Sequence, residues 1–255
     1  MLYFVHQVAA QTIFGRSVTH KFCGRTVFKG VEPVWKSSSF IKGDLLGKDD
    51  RSAFGGDPTN VYWNNGPQWF LRLIPYTGTT EMTTKGILDL LNTRQLPPLG
   101  KSSGGLIMAN TDGGVCYEVA TGSNPTRYVT QLFRNGEIWG IEQPTLHAQE
   151  NKFIPFAVLL TSLCDGLSTY LAFMRNQLRI EPPIQIIVGL SGVEDFKIAE
   201  RRFGMYPQGC CPIDEVLSGQ LIITTYDITA EELLGPFFQK VWEEFALPGE
   251  WRTDT

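Results

Sequence analysis

TQLFRNGEIWGIE, residues 130–142, decides how the middle of the chain folds. Apolar residues flank Asn135-Gly136, a dipeptide suited to the two positive-φ positions of a type I′ turn, so the stretch predicts a tight β-hairpin. In that register Arg134 faces Glu137, Phe133 faces Ile138 and Leu132 faces Trp139. Side chains alternate along a strand, which puts Leu132, Trp139 and Ile141 on one face and Phe133, Ile138 and Val129 on the other. Both faces are apolar and both need cover. One helix covers one face. The second must meet the N-terminal segment, a further layer or a partner, because an apolar patch left open marks an interaction site. Phe133, Ile138, Leu132, Trp139 and Arg134 are therefore the candidate interaction surface.

Upstream, WFLRLIP at 69–75 reads as a strand that Pro75 ends, since proline cannot donate to a ladder. Thr83 or Thr84 caps a short helix, TTKGILDLLNTRQ, which stops before Pro97-Pro98. GGLIMANTDGGVCYEVA, 104–120, predicts two strands joined by an Asp-Gly-Gly turn.

Downstream, FIPFAVLLTSLCDGLSTYLAF at 153–173 carries Asp165 as its single charge and is long enough to cross a bilayer. Yet Phe153, Phe156, Leu160, Leu163, Leu167, Leu171, Met174 and Leu178 step by three or four. Thr161, Asp165, Ser168 and Thr169 fall mostly away from that stripe. The pattern predicts an amphipathic core helix running from Pro155 to about Arg179, and no membrane span. Glu181-Pro182-Pro183 stops it, and IQIIVGLSGV at 184–193 and QLIITTYDI at 220–228 follow as strands. A last helix, ITAEELLGPFFQKVWEEFAL, has Thr229 as its N-cap, with Glu231 and Glu232 complementing the helix dipole. Residues 1–67 lack periodicity. The expected organisation is an irregular N-terminal segment over 1–67 and an α+β domain over 68–255. That domain is a mainly antiparallel sheet of about five to seven strands, packed by the long helix and the C-terminal helix.

With 42% hydrophobic and 19% charged residues the chain is globular rather than disordered. A net charge of −4 gives no global positive field to draw it to phosphate backbones. The cysteines are Cys23, Cys116, Cys164, Cys210 and Cys211, and the opening MLYFVHQVAAQTIF lacks the basic n-region of a signal peptide. An odd cysteine count in such a chain predicts reduced thiols and a cytoplasmic location.

Several motifs resemble chemistry without completing it. GKSSGG, 100–105, has the end of a phosphate-binding loop, but Gln95 stands at the first glycine position, Pro97 and Pro98 fill the loop, and a strand follows where a helix is needed. Gly189-Leu190-Ser191-Gly192 is one residue short of a nucleophile elbow. A serine triad also needs a histidine, and of His6, His20 and His147 the last lies in QPTLHAQEN, which reads as an exposed loop. Asp195-Phe196-Lys197 matches the end of a metal-nuclease motif, but the best-placed earlier acid, Asp165, falls inside a helix. His20, Cys23, Cys210 and Cys211 have the chemistry of a zinc tetrad without its spacing. Arg72, Lys101, Arg127, Arg134, Arg201 and Arg202, with Trp63, Trp69, Trp139 and Tyr128, have the composition of a nucleic-acid platform, but nothing in the sequence gathers them.

The order of segments is distinctive: WFLRLIP, a short helix and PPLGKSSGG, YVTQLFRNGEIWGIE, FIP opening a long helix, then IEPPIQIIVGLSGVEDFKIA. It resembles the C-terminal half of bacterial proteins that carry a Schlafen-type, Alba-like domain at the N-terminus, over about residues 68–200. In that family DNA binding or nuclease function is assigned to the N-terminal domain, and residues 1–67 show no counterpart to it. The resemblance therefore implies an accessory domain and carries over no catalytic residue. The expectation is a non-enzymatic interaction module without cofactor or metal, docking on another protein domain or on itself. The alternatives are a nucleic-acid-binding protein and a metal-dependent nuclease using Asp195 and Lys197.

Overall fold

The computed structural model describes residues 66–77, 81–110, 112–119, 127–148, 151–199 and 208–252. The segment 1–65 lies outside them.

The fold is α+β. Eight strands form one antiparallel sheet: β1 (Gln68–Pro75), β2 (Leu106–Asn110), β3 (Gly113–Val119), β4 (Arg127–Phe133), β5 (Ile138–Glu142), β7 (Ile184–Ser191), β9 (Glu215–Leu217) and β10 (Leu221–Ile223). They run in the order β10-β7-β1-β5-β4-β3-β2, with β9 also paired to β7. That is one strand beyond the expected range. A separate parallel pair joins β6 (Phe153–Pro155) to β8 (Lys197–Ala199). The helices are α1 (Thr84–Asn92), the single turn α2 (Pro144–His147), α3 (Phe156–Phe173), continued by a π turn over Met174–Leu178, and α4 (Ala230–Glu244).

β1 holds the centre because every residue in it is buried, flanked by β5 on one edge and β7 on the other. A strand buried on both faces reads as the unbroken apolar run of WFLRLIP rather than as an alternation. The expected strand 220–228 shortens to Leu221–Ile223. Beyond it Thr225 Oγ1 donates to Asp227 Oδ2 and the Tyr226 hydroxyl to the distant Ile180 carbonyl, so side-chain bonds replace the ladder.

The three longer helices α1, α3 and α4 pack on one face of the sheet. There Trp69, Leu71, Leu73, Leu132, Ile138, Val188 and Leu190 meet Leu159, Leu163 and Leu167 of α3 and Phe237 and Phe238 of α4 in one core. Each such side chain, fully buried, contributes roughly 1.5–3 kcal/mol relative to exposure. α3 is long and apolar enough to cross a membrane, yet Leu159, Leu163, Leu167 and Tyr170 face the core, with Thr161, Asp165 and Ser168 outward. Pro155 stands as its N-cap instead of inside its first turn. α4 is started by a capping box between Thr229 and Glu232. It locks to α3 through aromatic edges, Phe156 lying 5.2 Å from Trp242 and 6.0 Å from Phe238.

Two glycines let the loop after α1 wedge between α3 and the sheet. A Cβ on Gly140 would fall inside the Tyr170 hydroxyl and 2.9 Å from Leu99 Cβ, and one on Gly166 would strike Leu99 Cδ1. Thr130 Oγ1 then donates to the Pro97 carbonyl at 2.9 Å, fixing loop 97–105 against β4.

Candidate functional site

The opening hairpin forms, but one residue out of the expected register. Leu132 pairs with Ile138, Gln131 with Trp139 and Val129 with Ile141. The Phe133 amide donates to Glu137 O and the Gly136 amide to Phe133 O, which closes a three-residue loop over Arg134-Asn135-Gly136. Gly136 alone takes a left-handed φ of 85° and Asn135 does not, so the turn is a type I turn with a bulge rather than type I′. Asn135 Oδ1 accepts from the Glu137 amide at 3.1 Å, and Arg134 leaves the ladder to donate to Met82 O and Thr84 Oγ1. A one-residue slip moves every side chain of one strand to the other face relative to its partner, here Ile138, Trp139 and Ile141 of β5. Leu132 and Ile138 share the helix-covered face and are wholly buried, while Phe133, Trp139, Val129 and Ile141 share the other.

The five candidate surface residues are therefore split between two faces. On the second face Trp139 lies across from Arg72 of β1, whose guanidinium sits 4.6 Å from the indole centroid. The Glu137 carboxylate pairs with Arg72 and accepts from Trp139 Nε1, and Phe133 meets Trp139 edge-on at 4.6 Å. Phe70, Ile74, Val115, Tyr117, Val129 and Ile141 complete this face, and with Arg72, Glu137 and Trp139 they are buried, at 0–8% exposure. An open apolar patch is thus not what the hairpin presents. Phe133 and Arg134 are half-buried, and Asn135 is exposed at the tip.

A second cluster, which sequence reading missed, gathers on the helix-covered face at the opposite end of the hairpin. Glu142 is buried, and its carboxylate accepts from the hydroxyls of Thr145 in α2 and Ser162 in α3, the latter at 2.8 Å. Ser162 in turn accepts from the Trp69 indole at 3.2 Å. Burial pushes the Glu142 carboxyl above the usual carboxylate range, against the pull of these donors and of Lys101. Lys101 from loop 97–105 pairs with Glu118 at 2.8 Å, which raises its ammonium, and lies 4.1 Å over the Tyr128 ring. Burial raises the Tyr128 phenol. Thr145, Glu142, Ser162 and Trp69 form one chain of hydrogen bonds. The correct hairpin register was the missing signal, because pairing Leu132 with Ile138 puts Ile138, Gly140 and Glu142 together on the helix-covered face of Leu132.

The other singled-out residues lie apart. Lys101 and Arg134 stand at opposite ends of the sheet, Trp69 and Trp139 on opposite faces, and Arg72 is committed to Glu137. Trp63, Arg201 and Arg202 lie outside the described residues. His147 belongs to α2, not to an exposed loop, and is half-buried against Gly66, so burial lowers its pKa. Ser191 ends β7, and Gly192 follows at φ 71°. Asp195 is exposed, left-handed at φ 67° and 3.6 Å from Lys152, while Lys197 opens β8 and Asp165 faces outward from α3. Of the zinc candidates, His20 and Cys23 lie outside the described residues, Cys210 is exposed, and the buried Cys211 donates to Ile213 O. Among the described residues no group of three His, Cys, Asp or Glu is placed to hold a metal. Burial pushes Cys116 and Cys164 each up to about 11, which keeps them as thiols.

Comparison with protein-family models, with curated proteins and with solved structures finds no match for this chain.

Proposed function

We propose that the protein is a non-enzymatic accessory module that docks on another protein domain or on a second copy of itself. One observation carries the reading. It is the hairpin tip, where the half-buried Phe133 and Arg134, aromatic and arginine side chains of the types that anchor protein–protein interfaces, stand beside the exposed Asn135, while Trp139, Tyr117, Phe70 and Arg72 behind them are buried. Docking therefore takes place at this tip. The resemblance to domains that accompany a Schlafen-type partner supports the same reading.

Light scattering on the native chain and on Asn135→Arg and Phe133→Asp tests it. Asn135 is exposed and its replacement removes one hydrogen bond of the turn, to the Glu137 amide, so circular dichroism first checks that each variant is folded; the expected result is reversible association, or association with an added Schlafen-type domain, weakened in both variants. Binding of neither kind, with native and variant chains alike, overturns the proposal.

A further inference from the structure

We propose that Glu142 operates the segment Gly100–Ser103 as a proton-controlled latch, closed while the carboxyl is neutral and released when it ionises. This does not depend on the docking reading, because it concerns the other face of the sheet.

The backbone at Gly100 lies against the carboxyl. Gly100 adopts φ +81°, and a Cβ there would stand 2.5 Å from Glu142 Oε2 and 3.3 Å from Ser162 Oγ. Gly100 is itself exposed, whereas Glu142 is 2% exposed. Gly100 thus lies between this part of the carboxyl and water, with the half-buried Thr145 against its other oxygen. On either side the loop is anchored, by Thr130 to Pro97 O at one end and by Arg94 and Cys116 to Gly105 O and Gly104 O at the other. Between these anchors the Lys101 amide donates to Pro98 O and the Lys101 side chain reaches Glu118 and Tyr128, while Ser102 and Ser103 are exposed.

The surroundings accept both protonation states. Ser162 and Thr145 carry hydroxyls, which donate to a carboxylate and accept from a neutral carboxyl alike. The charged and titratable groups facing the site are Lys101 from the loop, Glu118 from β3 and Tyr128 from β4; β1, α2 and α3 contribute the neutral Trp69, Thr145 and Ser162. Lys101 is already paired with Glu118, so an ionised Glu142 is left with two hydroxyl donors in a site closed to water. Lifting Gly100 hydrates it. The closed loop therefore favours the neutral acid, and by linkage each unit by which closure raises the carboxyl pKa changes the closed-to-open ratio about tenfold.

The test is amide hydrogen exchange over residues 99–105 across a pH series, corrected for intrinsic exchange, alongside carbon NMR titration of the Glu142 carboxyl in the native chain. The expected result is a severalfold loss of protection whose midpoint coincides with the carboxyl titration, and a protected, pH-insensitive loop in Glu142→Gln. Ser162→Ala removes a donor to the carboxylate and moves the midpoint to higher pH. Loop exchange that ignores the carboxyl titration, or the same pH profile in Glu142→Gln, or an unmoved midpoint in Ser162→Ala, would overturn the latch.

Discussion

Glu137 and Glu142 lie on one arm of the hairpin and on opposite faces of the sheet, and their surroundings give them different work. Glu137 is held in a buried pair with Arg72 beside Trp139. Arg72→Ala leaves that carboxylate buried without its cation and is expected to cost about 3–5 kcal/mol in chemical denaturation. Arg72→Met combined with Glu137→Leu should recover most of the loss, because a well-packed apolar pair replaces a buried ion pair at little cost. Glu142 faces the opposite linkage. Its folded-state pKa is raised above the ordinary value of 4.5, so its contribution to stability is fully present below that value and lost as the pH rises through the folded pKa. Thermal melts in a pH series should show Glu142→Gln at least as stable as the native chain at neutral pH and lacking this decline. A variant that melts lower at neutral pH would contradict that sign. Neither acid stands out in the sequence, since alternation puts them on opposite faces but only the hairpin register decides which of them meets the helices.

At the scale of elements, the sequence disclosed those whose signals are local. The Thr229 cap, the Thr83 cap, the stop at Pro182-Pro183 and the strand WFLRLIP all appear where the residues imply them. Thr229→Ala should cost about 1 kcal/mol by denaturation, the usual value of an N-cap. The hairpin register did not follow from its local signal. Asn-Gly favours a two-residue turn, but Arg134 bonds to the loop before α1, and Gly140 is needed opposite Tyr170 and Leu99, where any side chain would collide. Tertiary contacts outweigh a preference of this size. The turn makes its own prediction: Gly136→Ala, at φ +85°, should cost about 1–2 kcal/mol, and Asn135→Gly should bring no gain, because position 135 is not left-handed. A stabilised Asn135→Gly variant would favour the two-residue turn instead.

For the whole molecule, the α+β class and the long helix were legible because amphipathic periodicity and turn residues repeat along the chain. The pairing of β9 and β10 on the outer edge of β7, and the meeting of loop 97–105 with α2 and α3 around Glu142, were not, because they join residues far apart in sequence. The sheet is layered by its longer helices on one side, with an aromatic and arginine-bearing face on the other, and the proposed role as a docking module rests on the hairpin tip, where Phe133 and Arg134 stand beside the exposed Asn135. Sedimentation velocity of the full chain across a wide concentration range, alone and with an added Schlafen-type domain, tests that role most directly. A reversible shift to a larger species, lost in Asn135→Arg, is the predicted result; a single monomeric boundary at every concentration, unmoved by the added domain, would contradict it.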